Sequence, residues 1–332
     1  MGADEGVTTY VCKEFCNMGG VKIIDIYAPK VRNLSLKEVV KQGFKCYKSA
    51  APGDLIFGWG ADVALYAWLR SRLGRKRCMF LSQNLIVPPI EENRGIKKRV
   101  RFLMYKMALK SKNFYVTVNS PQLIDFYSSM FDCSRDKFKL VYDAMRLNEK
   151  MEDDVKNRDG NDMYVFCGGK AHRDVDTFVK IVKAMPEVKF KVIFLKSMLT
   201  DEMFKLPNLD VLHDVEIDKF YEVLSGASLC CIPLKSEAPC GIYVMQHAIL
   251  MGIPIISTET RSMRAIVPND EYGYLLKRGD VDGMVSRLRL LLADKNIYKS
   301  IAENAKANMV NFTPLSVSKQ LITAMKQVMA MT

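Results

Sequence analysis

The segment Ser236–Glu259, SEAPCGIYVMQHAILMGIPIISTE, leaves few folds open to the chain. A loop with Pro239, Cys240 and Gly241 runs into a helical pattern in which Val244, Met245, Ala248, Ile249 and Met251 recur at spacings of three and four. Gly252 and Pro254 stop that helix, and Pro254-Ile-Ile-Ser-Thr reads as a short apolar strand. A glycine at a helix start lets a ligand come close to the backbone, and the first N–H groups of the helix are free to receive an anion. The same residues also suit an ordinary helix–strand unit of an α/β domain, so their neighbours have to decide.

Those neighbours alternate in the same way. Asp54–Gly58, Cys78–Ser82, Asn113–Val118 and Lys139–Met145 read as strands, and Leu34–Gln42, Ala61–Leu73 and a helix ending near Phe131 lie between them. Two earlier strands, Thr8–Phe15 and Val21–Tyr27, flank Gly19-Gly20. After a polar, charged stretch at Arg146–Asn161 the alternation resumes with Met163–Cys167, Lys189–Leu195 and Leu229–Pro233, and ends in helices over Val281–Ala293, Ile297–Met309 and Leu315–Met329. Repeated strand–helix alternation argues for parallel α/β sheets, whose ligands sit beyond the carboxyl ends of the strands. That rule puts Gly58–Gly60, Gln83-Asn84 and Gly168-Gly169 at ligand-facing edges. With 332 residues, the chain has room for two domains, and the charged stretch is the natural linker.

The second half opens with a strand ending in Gly168-Gly169, followed by Lys170 and by Arg173 at a helix start. Two cations beside a glycine turn suit an anionic group. Asp174-Val-Asp176 and Asp280-Val-Asp282 look like metal motifs, but acidic residues in a first helical turn are ordinary partners of the helix dipole. No metal site is expected. The phosphate-binding patterns of nicotinamide-dependent dehydrogenases and P-loop enzymes are absent from the sequence.

Gly241, Ala248, Gly252, Pro254, Ile255 and Ile256, with Tyr272-Gly-Tyr-Leu-Leu and Gly279-Asp280 downstream, are similar to the donor-sugar region of retaining GT-B glycosyltransferases, the large family 4 group. The resemblance is good over about 162–310 and extends to the first half in outline. It implies two Rossmann-like α/β/α domains facing a cleft: an acceptor-side domain over 1–148, a nucleotide-sugar domain over 149–312, and a terminal helix within 313–332 that crosses back. It further implies that Lys170 and Arg173 clamp the donor diphosphate, with Gly168, Gly169, Cys240, Gly241 and Arg261 around it, and that the segment near Asn208–Asp218 packs the nucleotide base. The chain departs from the family at both carboxylates of the pattern. Where relatives have Glu three residues before the glycine and five after it, this sequence has Ala238 and Gln246. Gln246 is then expected to meet the donor ribose, since an amide both donates and accepts. Glu237, one residue out of register, is expected to contact the sugar. No histidine precedes His172, so Gln83 stands in for the histidine that many relatives carry in the first domain. A UDP-sugar is the expected donor, used as substrate with no cofactor.

Charge is unevenly placed. Of the net +12, all lies in residues 1–150, which hold 26 Lys and Arg against 14 Asp and Glu. An excess of that kind calls for an anionic partner. Arg94–Lys112 is a basic helical stretch within it: Ile96, Val100, Leu103 and Met107 form one apolar stripe, and a second, mixed face carries Lys98, Phe102, Tyr105, Lys106 and Leu109. Lys97, Lys98, Arg101, Phe102, Tyr105 and Lys106 are expected to face an anionic membrane surface. No nucleic-acid motif accompanies the charge. Nine cysteines without a CxxC pair, and an acidic polar start without a signal peptide, point to reduced thiols in a cytoplasmic protein, peripheral at the inner membrane face. The sequence therefore reads as a retaining, metal-independent glycosyltransferase acting on a glycan or lipid-linked acceptor in envelope polysaccharide synthesis. The alternative is a catalytically weakened relative that binds a nucleotide sugar or assembles with a partner.

Overall fold

The computed structural model describes residues 35–58, 62–88, 95–145, 163–237 and 240–331. The strands expected at Thr8–Phe15 and Val21–Tyr27, the Gly19-Gly20 turn, the linker at Arg146–Asn161 and the departure at Ala238 lie outside them. The chain forms two compact units, one of Met1–Ala144 with Pro314–Thr332 and one of Met145–Thr313.

In the first unit, α1 (Leu36–Ser49) is started by a capping box: Ser35 accepts from the Glu38 N–H while the Glu38 carboxylate accepts from the Ser35 N–H. Strands β1 (Leu55–Gly58), β2 (Met79–Ser82), β3 (Phe114–Val118) and β4 (Phe138–Leu140) pair in that order, all parallel. Every residue of β3 is buried, as a strand covered on both faces requires. Helices α2 (Val63–Ser71), α3 (Ile96–Leu109) and α4 (Pro121–Phe131) supply one side of the core, where Trp68, Phe102, Tyr105 and Phe131 meet Phe114 and Phe80.

In the second unit, strands β5 (Tyr164–Gly168), β6 (Lys189–Phe194), β7 (Leu209–His213), β8 (Leu229–Ile232), β9 (Ile255–Thr258) and β10 (Tyr274–Leu276) form a parallel sheet in the order β10-β9-β8-β5-β6-β7. From β5 the chain builds outward through β6 and β7, then returns to the other side of β5 as β8. The reversal makes the β5/β8 boundary the switch point at which open α/β sheets leave a crevice. The helices are α5 (Val175–Ala184), α6 (Ile217–Ser225), α7 (Ile242–Leu250), α8 (Val281–Ala293) and α9 (Lys295–Asn308). The terminal α10 (Pro314–Met329) returns to the first unit, where Val317, Leu321 and Val328 pack on Leu81 and Tyr115.

Helix α3 lies the other way round from the sequence reading. Phe102 and Tyr105, expected at a membrane, are 4% and 2% exposed and belong to the core. Arg101 is also committed within the unit: its Nε donates to Asp62 Oδ2 at 2.6 Å and its second Nη to Oδ1 at 2.9 Å, while the Tyr105 hydroxyl donates to Asp62 Oδ1 at 2.6 Å. Aromatic side chains gain more by filling the gap to Phe114 and Phe131 than by facing solvent, so they fix the rotation of the helix. Lys97 and Lys98 remain exposed and Lys106 half-buried.

Candidate functional site

The candidate site forms where the loops after β5, β8 and β9 converge. After β5, Gly169 takes φ 129° and His172 takes φ 56°. Their turn folds Arg173 back over the strand end, and the Asp174 side chain then caps α5 by accepting from the Thr177 N–H. The loop after β8 runs alongside: the Asp174 N–H donates to the Pro233 carbonyl at 2.9 Å and the Lys235 N–H to the His172 carbonyl at 3.1 Å. Ser236 Oγ and His172 Nδ1 lie 2.6 Å apart. This polar contact across the two loops is not visible in the sequence, where the residues stand far apart.

Arg173, expected as a cation at a helix start, is deeply placed: it is 3% exposed. Its Nε donates to the Gly168 carbonyl at 2.8 Å and Nη1 to the Ala171 carbonyl at 3.0 Å. Its pKa is lowered, chiefly by burial, but an arginine stays protonated. No carboxylate pairs with it among the described residues. A buried, unneutralised guanidinium is costly unless an anion is there to meet it.

Gly241 precedes α7 with φ 85°, in the left-handed region that glycine enters without strain. A Cβ there would stand 3.0 Å from Met263 Cε, 3.3 Å from Ile232 Cγ2 and 3.4 Å from Arg173 Nη1. The backbone of the α7 start is thus pressed close to the buried guanidinium. Lys170 is exposed beside it and, with Gly169, lines a shallow cavity bounded by Leu195, Asp214, Ile217 and Phe220. Cys240 is half-buried, and Arg173 moderates the upward shift that burial gives its thiol.

Other expected residues stand differently. Glu237 and Arg261 engage each other: Arg261 Nη1 lies 3.1 Å from Glu237 Oε2, which also accepts the Arg261 N–H at 3.3 Å. Gln246 has no exposed surface, because α7 turns it into the domain. The Asp280 side chain caps α8 by accepting from the Gly283 N–H, so both Asp-x-Asp pairs begin with a helix cap.

In the first unit, Gln83 follows the carboxyl end of β2, and its Oε1 is buried with no hydrogen-bond partner among the described residues. Next to it, Asn84 donates to Asp143 Oδ1 at 3.0 Å, and Asn119 donates to Oδ2 at 2.6 Å. Burial pushes the Asp143 carboxyl above its ordinary range, against the lowering effect of Asn119. Sequence reasoning missed Asp143. The only signal was an acid directly after the short run Leu140-Val-Tyr, just beyond the last strand of its sheet.

Residues 196–308 match the family model of glycosyl transferases group 1. Over that segment the chain is similar to group 1 glycosyl transferases. No curated protein matches it by sequence. Among solved structures, HepE from Anabaena in complex with UDP superposes with a TM-score of 0.69 at 14% identity, over 87% of this chain and 81% of that one. A glycosyltransferase from Rickettsia africae gives 0.64 at 11% identity, over 98% and 95%. Sucrose-phosphate synthase from Thermosynechococcus elongatus gives 0.63 at 15%, over 92% and 82%. The fold of the chain is therefore GT-B, with two Rossmann-like units. The matched segment runs from just after β6 to the end of α9, so it includes α7, Gly241 and Gln246 but begins after Arg173.

Proposed function

We propose that the chain is a retaining, metal-independent glycosyltransferase whose second unit holds a nucleoside-diphosphate sugar, with a UDP-sugar as donor. The observation that carries this reading is the buried, unneutralised Arg173 between Gly169 and Gly241. A diphosphate supplies the missing charge, and Lys170 adds a second cation from the solvent side. The N–H groups at the start of α7 complete an anion cradle. The cavity between Lys170 and Ile217 lies at the segment expected to pack the base, and the HepE structures with UDP and UDP-glucose support a uridine donor.

The chemistry follows from the charge. Breaking the bond from the anomeric carbon to the diphosphate oxygen leaves negative charge on the diphosphate, and Arg173 and Lys170 stabilise that charge more in the transition state than in the bound donor. The departing phosphate oxygen accepts the proton of the acceptor hydroxyl as that hydroxyl bonds to the anomeric carbon, so no protein base is required. The first unit takes the acceptor, a glycan or lipid-linked sugar of the cell envelope, at the strand ends that carry Gln83. The protein works on the cytoplasmic side, peripheral to the membrane.

A thermal-shift screen with UDP, GDP, ADP, CMP and dTDP tests the donor site. At about 100 times Kd a bound nucleotide stabilises the fold by roughly 2.7 kcal/mol. The expected result is a shift with UDP that Lys170→Ala/Arg173→Met abolishes. No shift with any nucleotide in the folded wild type would overturn the reading. UDP binding with no sugar transfer or UDP-glucose hydrolysis would favour the binding-only alternative.

A further inference from the structure

The face of α3 turned away from the core carries Ile96, Val100, Leu103 and Met107, exposed at 82%, 48%, 50% and 56%. Their spacings of three and four align them within one narrow stripe at about 100° per residue. The buried residues Phe102, Tyr105, Ala108 and Leu109 lie on the opposite side of the same helix. Single exposed apolar residues are ordinary on a protein surface, but four in line along a helix need a partner.

The flanks of the stripe are cationic. Lys97 borders it on one side and Arg99 and Lys106 on the other, and α3 contains no acidic residue. Lys97, Arg99 and Lys106 make no ion pair among the described residues, whereas Arg101 is held by Asp62 and Lys110 by Asp132. An apolar stripe with cations on both flanks and no acid on its helix fits the boundary between acyl chains and anionic headgroups. Fourteen residues make a helix of about 21 Å, too short to span a bilayer and suited to lying along it. No helix among the described residues is long and apolar enough to cross a membrane.

We propose that α3 docks the first unit on an anionic lipid surface, with Ile96, Val100, Leu103 and Met107 entering the acyl boundary and Lys97, Arg99 and Lys106 at the headgroups. A second copy of the chain fits less well, because two such stripes facing each other would bring like-charged rows together. A nucleic acid would engage the cations and leave the apolar stripe in water. This surface does not depend on the nucleotide-sugar reading.

Co-sedimentation with phosphatidylcholine vesicles, with and without phosphatidylglycerol, tests the proposal on the full chain. The wild type is expected to pellet only with phosphatidylglycerol. Leu103→Gln/Met107→Gln and Lys97→Glu/Arg99→Glu should each weaken partitioning more than about tenfold. All these positions are exposed, so melting temperature should hold, and the UDP shift should be unchanged. Leu103→Trp should blue-shift its fluorescence when phosphatidylglycerol vesicles are added. The proposal is overturned if the wild type stays in the supernatant, if both double variants pellet like wild type, or if the stripe variant loses only self-association in sedimentation. Salt-sensitive RNA binding without vesicle binding would overturn it as well. Vesicle binding without any UDP shift would refute the donor reading and leave this surface standing.

Discussion

Arg173 is folded so tightly over Gly169 that a Cβ on that glycine would lie 2.7 Å from the arginine Cζ. Gly169 also holds φ 129°, a conformation other residues rarely adopt. Gly169→Ala should therefore displace the guanidinium as well as strain the turn, costing about 1–3 kcal/mol of stability. The binding measurement separates the two effects. Calorimetric titration with UDP at a temperature where the variant is fully folded should show affinity reduced at least about tenfold. Wild-type affinity in a folded Gly169→Ala protein would mean that Arg173 does not meet the diphosphate.

The Asp62–Arg101–Tyr105 group predicts a stability effect in the first unit. Asp62 itself sits at φ 54° and accepts from both side chains. Arg101→Met removes a two-pronged, charge-assisted contact, and Tyr105→Phe removes one hydrogen bond from a carboxylate. Denaturant melts should show losses of about 1.5–3 kcal/mol for the first and about 1–2 kcal/mol for the second. Vesicle binding at saturating stability should change little in either, since neither side chain lies on the exposed stripe.

Most of the framework was legible in the sequence, because helix and strand periods, glycine stops and the Gly252-x-Pro254 break are local signals. The glycine turn before Arg173 and the start of α7 were legible for the same reason. What escaped was rotation and depth. Periodicity found both faces of α3 but could not tell which one Phe114 and Phe131 would claim. The depth of Arg173 could not be read locally, because it is set by the β8 loop, some sixty residues on. Glu237 and Arg261 read as two separate ligand contacts because nothing local links the loops after β8 and β9. Asp143 escaped because its amide partners, Asn84 and Asn119, come from two other strand ends.

Asp143 gives a pH dependence. Its folded-state pKa is raised by burial, so the native protein binds a proton more readily than the unfolded chain there. Its contribution to stability is complete below the ordinary carboxylate pKa of about 3.9 and declines as pH rises through the elevated folded value. Asp143→Asn removes that titration. The difference in melting temperature between wild type and variant should move in the variant's favour as pH rises across the acidic range. A constant difference would show that Asn84 and Asn119 stabilise the carboxylate fully.

Gln246 tests how far the missing family carboxylate matters. Because the side chain is fully buried, Gln246→Glu places an acid where water does not reach. The variant should melt lower than wild type at neutral pH and recover as pH falls. If the position meets the ribose, UDP should shift the variant by more than it shifts the wild type, since the hydroxyls then donate to the new carboxylate. An equal UDP shift in both proteins would remove Gln246 from the donor site.

Glu237 occupies the one loop N–H and the guanidinium that Arg261 would otherwise present to an anion. Both side chains are substantially exposed, so the pair itself adds little stability, at most about 1 kcal/mol. Its effect on binding should be larger than its effect on folding, because the carboxylate competes with the diphosphate for the same donors. Glu237→Gln removes the competing carboxylate, and UDP affinity at low salt should rise several-fold, with the gain fading as salt screens it. Glu237→Gln/Arg261→Gln should return affinity to the wild-type level or below. If Glu237→Gln instead weakens UDP-glucose binding while leaving UDP unaffected, the carboxylate contacts the sugar and Arg261 merely holds it in place.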